Sequence, residues 1–371
     1  MLFMRVPRSY TGQDVVEIQS HGGGVAARRI LRRVIGAGAR PAGPGEFTRR
    51  AFLSGRIDLL QAEAVLDVIR SRSERAAVAA EEQLAGRLSR RFDALYDRIL
   101  AVAADLEATL DFPDDEVPPA VFSELAARLR GIDGDTGDLI ATWDEGHLLR
   151  DGAVVVISGR PNAGKSTLLN ALLGTDRAIT SSTPGTTRDS IEEGLVLDGI
   201  PVRLIDTAGL RETGCAIEQE GIRRTQKHVE TSDGQIFITD ASLHPDEQEL
   251  VLIHGLDPGR SILVRNKTDL GDRSPGVAFG RLPVVEASLV TGGGIAEIRA
   301  ALARLLQGNR ELSARPHAVI SERHRALLTD TRAELERALH LLDAEADESL
   351  LAAAALREAL DRIGEATGRV Y

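Results

Sequence analysis

The stretch Ala153-Val-Val-Val-Ile-Ser-Gly-Arg-Pro-Asn-Ala-Gly-Lys-Ser-Thr-Leu-Leu-Asn-Ala-Leu-Leu-Gly174 decides the fold of the region around it. Ala153–Ser158 is a short β-branched run, the pattern of a buried strand. Gly159–Thr167 then fits the spacing of a phosphate-binding loop, and Leu168–Gly174 opens a helical run. In that strand–loop–helix context the glycines let the backbone turn its N–H groups toward phosphate oxygens. The helix that follows adds its positive end. Lys165 is placed to reach the β- and γ-phosphates, and the Ser166 hydroxyl to ligate Mg²⁺.

Working outward, five more short β-branched runs follow: Glu192–Gly199, Val202–Thr207, Gln235–Asp240, Ser261–Asn266 and Leu282–Ala287. Helical or loop segments separate most of them, which predicts a doubly wound α/β sheet. Leu197-Asp-Gly-Ile-Pro201 reads as a hairpin turn between two of them. On both flanks the period becomes helical. Leu59, Ala62, Leu66 and Ile69 recur at three- and four-residue steps within a run from Ile57 to Leu110. Asp111–Pro119, rich in acids and prolines, reads as a solvated loop or, alternatively, an acidic metal site. A second helix is expected through about Glu145, and long helices return from Pro316 to Gly364. The expected fold is α/β plus all-α: a P-loop domain inserted in a split helical domain, with residues 56–147 pairing with 316–365. Residues 1–55 add part of a small α/β unit, too short for a core of its own. Expected boundaries are 1–55, 56–150, 151–309 and 310–371.

Two further motifs fix the nucleotide. Asn266-Lys-Thr-Asp269 ends a strand, where a carboxylate can accept from N1–H and the exocyclic amine of guanine, a donor pair adenine lacks. Asp206-Thr-Ala-Gly209 is a turn that senses a γ-phosphate. Three motifs in this order on an alternating pattern point to GTP. Between them, Thr180–Asp189 is a loop in which Thr187, or failing that Thr186, completes the Mg²⁺ shell. The expected GTP contacts are Asn162, Ala163, Gly164, Lys165, Ser166 and Thr167; Ser181, Ser182, Thr183, Pro184, Gly185, Thr186 and Thr187; Asp206, Thr207, Ala208 and Gly209; and Asn266, Lys267, Thr268 and Asp269. Ser288-Leu-Val290 falls where a further guanine-contacting loop belongs but departs from the usual Ser-Ala-Lys or Ser-Ala-Arg. Where Ras-like switches carry a water-orienting glutamine after the Asp-Thr-Ala-Gly turn, this chain has Leu210. Glu212, Glu218 and Glu220 are the nearby acids able to take its place.

Composition narrows the setting. A net charge of −11 argues against a protein that coats nucleic acid by bulk charge. The first sixty residues nevertheless hold ten arginines against four acids. Arg28, Arg29, Arg32 and Arg33 share one helix, which reads equally as a solvated face or as an RNA- or partner-facing patch. Lysine survives only at Lys165, Lys227 and Lys267, two of them inside nucleotide motifs. The single cysteine, Cys215, excludes an internal disulfide and fits a reducing, cytoplasmic setting. No apolar run is long enough for a membrane span, and Met1–Gly12 lacks the pattern of a secretory signal.

Pro161-Asn-Ala-Gly-Lys-Ser166, Gly185-Thr-Thr-Arg-Asp189 and Asp206-Thr-Ala-Gly-Leu-Arg211 together resemble the translation-factor-related GTPases with an apolar residue after the switch II glycine. Tyr10–Gly23, Pro44–Val65 and Asp111–Glu116 resemble the tRNA modification GTPase MnmE (TrmE) family. The resemblance covers nearly the whole chain. It implies a folate-binding N-terminal domain, a split helical domain and an inserted G domain. It implies a homodimer that joins a flavoprotein partner, MnmG (GidA), in a heterotetramer and modifies carbon 5 of the tRNA wobble uridine. The one-carbon donor would be 5,10-methylene- or 5-formyl-tetrahydrofolate. By motif position, Asn162 and the carbonyls of Ser181, Thr183 and Thr186 would hold K⁺, which replaces an arginine finger in neutralising transition-state charge. Glu218 would be the catalytic acid, with Glu220 and Glu212 as the competing candidates. Glu17 and Arg56 match folate-binding positions. The family pattern extends beyond both ends of this chain, to a C-terminal Phe-Cys-Ile-Gly-Lys that Cys215 does not supply. A truncated chain with GTPase potential and an incomplete folate site is therefore expected. Two other readings compete: a ribosome-assembly GTPase, disfavoured because residues 316–371 are acidic, and a GTP-binding fragment inactive in modification.

Overall fold

The computed structural model describes residues 1–21, 23–110, 118–174, 193–206, 231–271, 279–308, 319–344 and 348–369. They divide into two units, one formed by Met1–Arg70, Ala80–Ala141 and Ile320–Tyr371, the other by Ser71–Ala79 and Thr142–Val319.

In the first unit, β1 (Leu2–Met4) and β2 (Val15–Glu17) form an antiparallel pair. Helices α1 (Gly24–Gly36), α2 (Glu46–Leu53) and α3 (Leu59–Arg70) follow. No residue of α1 is buried, and Arg28, Arg29, Arg32 and Arg33 are all exposed. After α4 (Glu74–Leu84) come two long helices, α5 (Arg87–Leu110) and α6 (Pro119–Ala141). Along α5 the buried side chains Leu88, Phe92, Leu95, Ile99, Val102 and Leu106 alternate four- and three-residue steps. That is one continuous apolar stripe on a helix. It packs with α6 and with two helices from beyond the inserted sheet, numbered below as α11 (Glu322–Ala344) and α12 (Ser349–Thr367). Buried alanines at 352, 353, 355, 359 and 366 give α12 a smooth face for close helix approach. Ion pairs Arg332–Asp133, Arg357–Glu107 and Arg130–Asp343 tie the same helices at their rims. The flanks of the sheet thus build one helical bundle, as the periodicity predicts.

The second unit is a six-stranded sheet in the order β4-β5-β3-β6-β7-β8. Its strands are β3 (Ala153–Gly159), β4 (Glu193–Leu197), β5 (Ile200–Asp206), β6 (Gly234–Asp240), β7 (Ser261–Asn266) and β8 (Val284–Glu286). All pairs are parallel except β4–β5, a hairpin whose turn residues Asp198 and Gly199 take φ values of 48° and 83°. Positive φ at both positions is the type I′ geometry that matches strand twist. Parallel strands are covered on both faces, which explains the near-continuous apolar runs. Ile157, Ile236, Ile238, Ile262 and Val264 face α8 (Lys165–Leu173) and α10 (Ile295–Gln307) in one core. Phe237 and Leu263 turn the other way toward Ile253 on α9 (Glu247–His254).

One helix boundary differs from the expectation of a single helix through about Glu145. The helix breaks at Thr142, and α7 (Trp143–Arg150) runs on past Glu145. The reason is packing: Leu148 is buried in the sheet core, so α7 belongs with the sheet unit. Arg75, on the short segment grouped with the same unit, reaches Glu145 and the Asp198 carbonyl.

Candidate functional site

The carboxyl ends of β3, β5, β6 and β7 lie side by side, and every described nucleotide motif follows one of them. β3 sits between β5 and β6, so chain crossovers leave it in opposite directions. That switch point is where open α/β sheets bind ligands.

The phosphate loop is built around two close backbone approaches. At Gly159, φ 140°, a Cβ would lie 2.2 Å from the Ile238 carbonyl oxygen. At Gly164, φ 111°, it would lie 2.4 Å from Asn266 Nδ2. No side chain fits either place. Lys165 folds back over the loop, donating from Nζ to the carbonyls of Gly159 at 3.0 Å and Arg160 at 2.6 Å. Its ammonium is thereby held at the mouth of α8, where backbone N–H groups converge. Ser166 Oγ donates to Asp206 Oδ2 at 3.0 Å, which puts a hydroxyl from the first turn of α8 beside the carboxylate that ends β5. That pair is the hard-oxygen donor set a divalent cation such as Mg²⁺ takes.

The turn after β7, Asn266–Asp269, is tied to this loop by one side chain. Asn266, buried at the end of β7, donates from Nδ2 to the Ala163 carbonyl at 2.8 Å and accepts from the Leu289 N–H at 3.1 Å. Lys267, at φ 68°, pairs through Nζ with Asp240 Oδ2 at 2.6 Å. Thr268 donates from its N–H and its hydroxyl to the Ala287 carbonyl. Ser288 Oγ donates to Asp269 Oδ1 at 2.6 Å and fixes the carboxylate plane. Ser288 therefore acts through Asp269, and Leu289 contributes its backbone, while Val290 is exposed.

Sequence reasoning missed a set of polar residues behind the loop. Arg160 pairs with Asp246 Oδ2 at 2.5 Å and with Glu249 Oε2 at 3.6 Å. Asp246 is the N-cap of α9 and accepts from the Glu249 N–H, and Glu249, itself buried, accepts from Thr239 Oγ1 at 2.6 Å. The Glu249 N–H foremost holds the Asp246 carboxyl below its ordinary range; burial opposes it, and Arg160 adds to the lowering. Burial pushes Asp240 upward, but the bonds from Lys267 and Ser242 outweigh it and the net direction is down. The available signal was Asp246-x-x-Glu249 after Pro245, the spacing of a helix start.

Ser181, Ser182, Thr183, Pro184, Gly185, Thr186, Thr187, Thr207, Ala208, Gly209, Leu210, Glu212, Cys215, Glu218, Glu220 and Lys227 lie outside the described residues, as does Asp111–Val117. Of the expected K⁺ ligands only Asn162 is described. It is exposed on the loop at φ 62°.

Comparison with known proteins places the whole chain. A family model described as "GTP-binding protein TrmE N-terminus" matches residues 1–56, and one described as "MnmE helical domain" matches residues 59–371. A tRNA modification GTPase MnmE from Geobacter metallireducens is 46% identical over 99% of this chain and 80% of its own length. Its counterpart from Geobacter sulfurreducens is 44% identical over 98% of this chain and 80% of its own. The chain belongs to the tRNA modification GTPase MnmE family. Among solved structures, the G domain of the T. maritima FeoB iron transporter is 24% identical over 42% of this chain and 99% of its own, with a TM-score of 0.31. That likeness carries no functional weight.

For an MnmE-family chain, the remaining expected positions are Glu17 and Arg56. Glu17 ends β2 opposite Leu2 and is exposed; Arg56 follows α2 and is also exposed. Among the described residues no hydrogen bond or ion pair joins them, and neither is enclosed. These two residues by themselves do not make a fitted folate site. Among the described residues, no group of three or more His, Cys, Asp or Glu could hold a metal, and no helix is long and apolar enough to cross a membrane. Away from the nucleotide motifs, at the amino ends of β3 and β6, Asp233 accepts from the Val154 N–H at 2.7 Å and lies 3.6 Å from His147 Nε2. Asp233 foremost, then Asp151, raises the His147 pKa against burial.

Proposed function

We propose that this chain is a GTP hydrolase acting in tRNA modification, with K⁺-stimulated turnover. The observation that carries the reading is the gathering of Lys165, Ser166, Asp206, Asn266 and Asp269 at one sheet edge, in a chain whose relatives are named tRNA modification GTPases. Asp269, its plane set by Ser288, accepts from the guanine N1–H and exocyclic amine. Lys165 and the N–H groups opening α8 bind the β- and γ-phosphates. Ser166 and Asp206, with Thr187, would hold Mg²⁺. Asn162, with Ser181, Thr183 and Thr186, would hold K⁺, which would supply charge neutralisation on the phosphates during transfer. Glu218 orients and polarises the attacking water in place of the glutamine that Leu210 excludes. The chain acts as a homodimer in the cytoplasm with a flavoprotein of the MnmG (GidA) type, on carbon 5 of the wobble uridine. Glu17 and Arg56 are both exposed and form no enclosed folate site by themselves.

The test is steady-state GTP hydrolysis with Mg²⁺ in KCl against NaCl. Turnover at least ten-fold faster in KCl is expected; equal rates overturn the K⁺ assignment, and GTP binding with no hydrolysis in either salt overturns the enzyme reading. Glu218→Ala is expected to keep GTP affinity and lose turnover. Unchanged turnover in that variant removes Glu218 from the mechanism. Mass spectrometry of wobble uridines in a knockout strain carrying this chain decides whether modification is restored.

A further inference from the structure

The polar residues behind the phosphate loop have a shape that suggests work beyond holding α9 in place. Arg160 is the second residue of the loop, and its two ends do different things. Its carbonyl oxygen accepts from Lys165 Nζ at 2.6 Å and from the Ala163 N–H at 3.3 Å. Its guanidinium leaves the loop in the other direction and lies between Asp246 Oδ2 at 2.5 Å and Glu249 Oε2 at 3.6 Å. Glu249 has a side chain only 6% exposed and is held from behind by Thr239 on β6. Asp246 is fixed by capping α9. The guanidinium thus lies between two carboxylates, one held by the α9 cap and one by Thr239, and the peptide that positions the lysine ammonium is the other end of the same residue. A fork donor between two fixed acceptors has little freedom left.

We propose that Arg160 is a positioning residue for GTP hydrolysis: anchored on Asp246 and Glu249, it sets the peptide carbonyl that aims Lys165 at the β- and γ-phosphates. Arg160 touches no phosphate itself. Its effect passes through Lys165, and a displacement of the ammonium by a fraction of an ångström weakens charge stabilisation in the transition state more than in the bound ground state. The inference rests on the proposed GTPase reading, and the experiment separates the two.

The experiment uses the full chain and four proteins: wild type, Arg160→Ala, Arg160→Lys and Asp246→Asn. GTP turnover is measured as kcat and KM in KCl with Mg²⁺, GDP affinity with a fluorescent analogue, and folding by thermal melting. Arg160→Ala is expected to lower kcat about ten-fold or more, with GDP affinity changed less than kcat and melting shifted by only a few degrees. The small melting shift is expected because Arg160 and Asp246 are about half exposed, and exposed pairs stabilise folds little. Arg160→Lys keeps the charge but not the fork, and should recover part of the lost kcat. Asp246→Asn should fall between wild type and Arg160→Ala. A purely structural role would lower the melting point and leave kcat per folded molecule unchanged; that outcome overturns the proposal, as does an Arg160→Ala kcat within two-fold of wild type. If wild type itself fails to hydrolyse GTP, the enzyme reading falls. In that case Lys165 positioning is read from GDP affinity alone: a five-fold or larger loss in Arg160→Ala, partly restored in Arg160→Lys, supports it, and unchanged affinity overturns it.

Discussion

Asn266 is the side chain on which the two halves of the nucleotide site depend, and its removal has a calculable consequence. In Asn266→Ala, the Ala163 carbonyl and the Leu289 N–H both lose their partner. Asn266 is 4% exposed, Ala163 2% and Leu289 7%, so water reaches these groups poorly. A buried backbone group left unsatisfied costs about 1–3 kcal/mol, which gives about 2–6 kcal/mol for the pair. A water drawn into the vacated volume would bring the figure toward the lower end. At about 3 kcal/mol, a unit of this size should melt about 6–12 °C lower. Affinity for GDP should fall about ten-fold or more, a change of about 1.4 kcal/mol, because the phosphate loop and the base turn no longer share an anchor. Asn266→Asp sharpens the test. It keeps the acceptor for Leu289 but sets a second oxygen against the Ala163 carbonyl. Burial raises the pKa of such a carboxyl, so the folded state binds the proton more tightly than the unfolded state. The variant should then lose stability as pH rises from about 4, the unfolded carboxyl value, through its raised folded value. Differential melting and fluorescent-nucleotide titration measure both effects. If Asn266→Ala melts within one degree of wild type and binds GDP within two-fold, the bridging role is wrong.

Two other outcomes follow from groups away from the nucleotide. The chain's one tryptophan, Trp143, stacks on His147 at 5.0 Å, so its emission should report the imidazole's titration with a midpoint above the ordinary value of about 6.5. Because that pKa is raised by Asp233 and Asp151, its stabilisation is complete below about pH 6.5 and is lost as pH rises through the folded value. The melting difference between wild type and His147→Gln should therefore be larger at pH 6 than at pH 9, and a difference independent of pH would contradict the assignment. Phe92, fully buried in the α5 stripe, should cost about 3–5 kcal/mol when cut to alanine. Calorimetry should show that loss in the helical unit, with GDP affinity within two-fold of wild type.

What was legible in the sequence was local. Gly159–Thr167 and Asn266–Asp269 are contiguous motifs that follow the strands as expected, and Gly159 and Gly164 announce close backbone approach by residue type alone. The central strands β3, β6 and β7 were legible because parallel strands buried on both faces read as near-continuous apolar runs. The α5 stripe was legible as a period. What the sequence hid were partnerships across distance. Nothing near Arg160 announces that its guanidinium ends on Asp246 and Glu249, because surface arginines look alike until the sheet brings β3 and β6 together. The break at Thr142 was hidden for a related reason: the helical period continues across it, and only the burial of Leu148 against the sheet decides where the helix turns.

The end of β6 gives this site its internal logic. Two consecutive residues there face opposite tasks. Thr239 holds Glu249, which helps hold Arg160, whose carbonyl holds Lys165. Asp240 holds Lys267 in the guanine turn, while the Ala241 N–H donates to the Asn266 carbonyl. One strand end thus anchors the phosphate side through one neighbour and the base side through the next. β6 pairs with β3 on one side and β7 on the other, the two strands that carry the phosphate loop and the guanine turn. A shift of β6 along its register would therefore move Lys165 and Lys267 together. The central position of β6 makes such a shift costly, since it would break two parallel ladders at once. The spacing between the loops after β3 and β7 is in that sense a property of the sheet, and the loops inherit it.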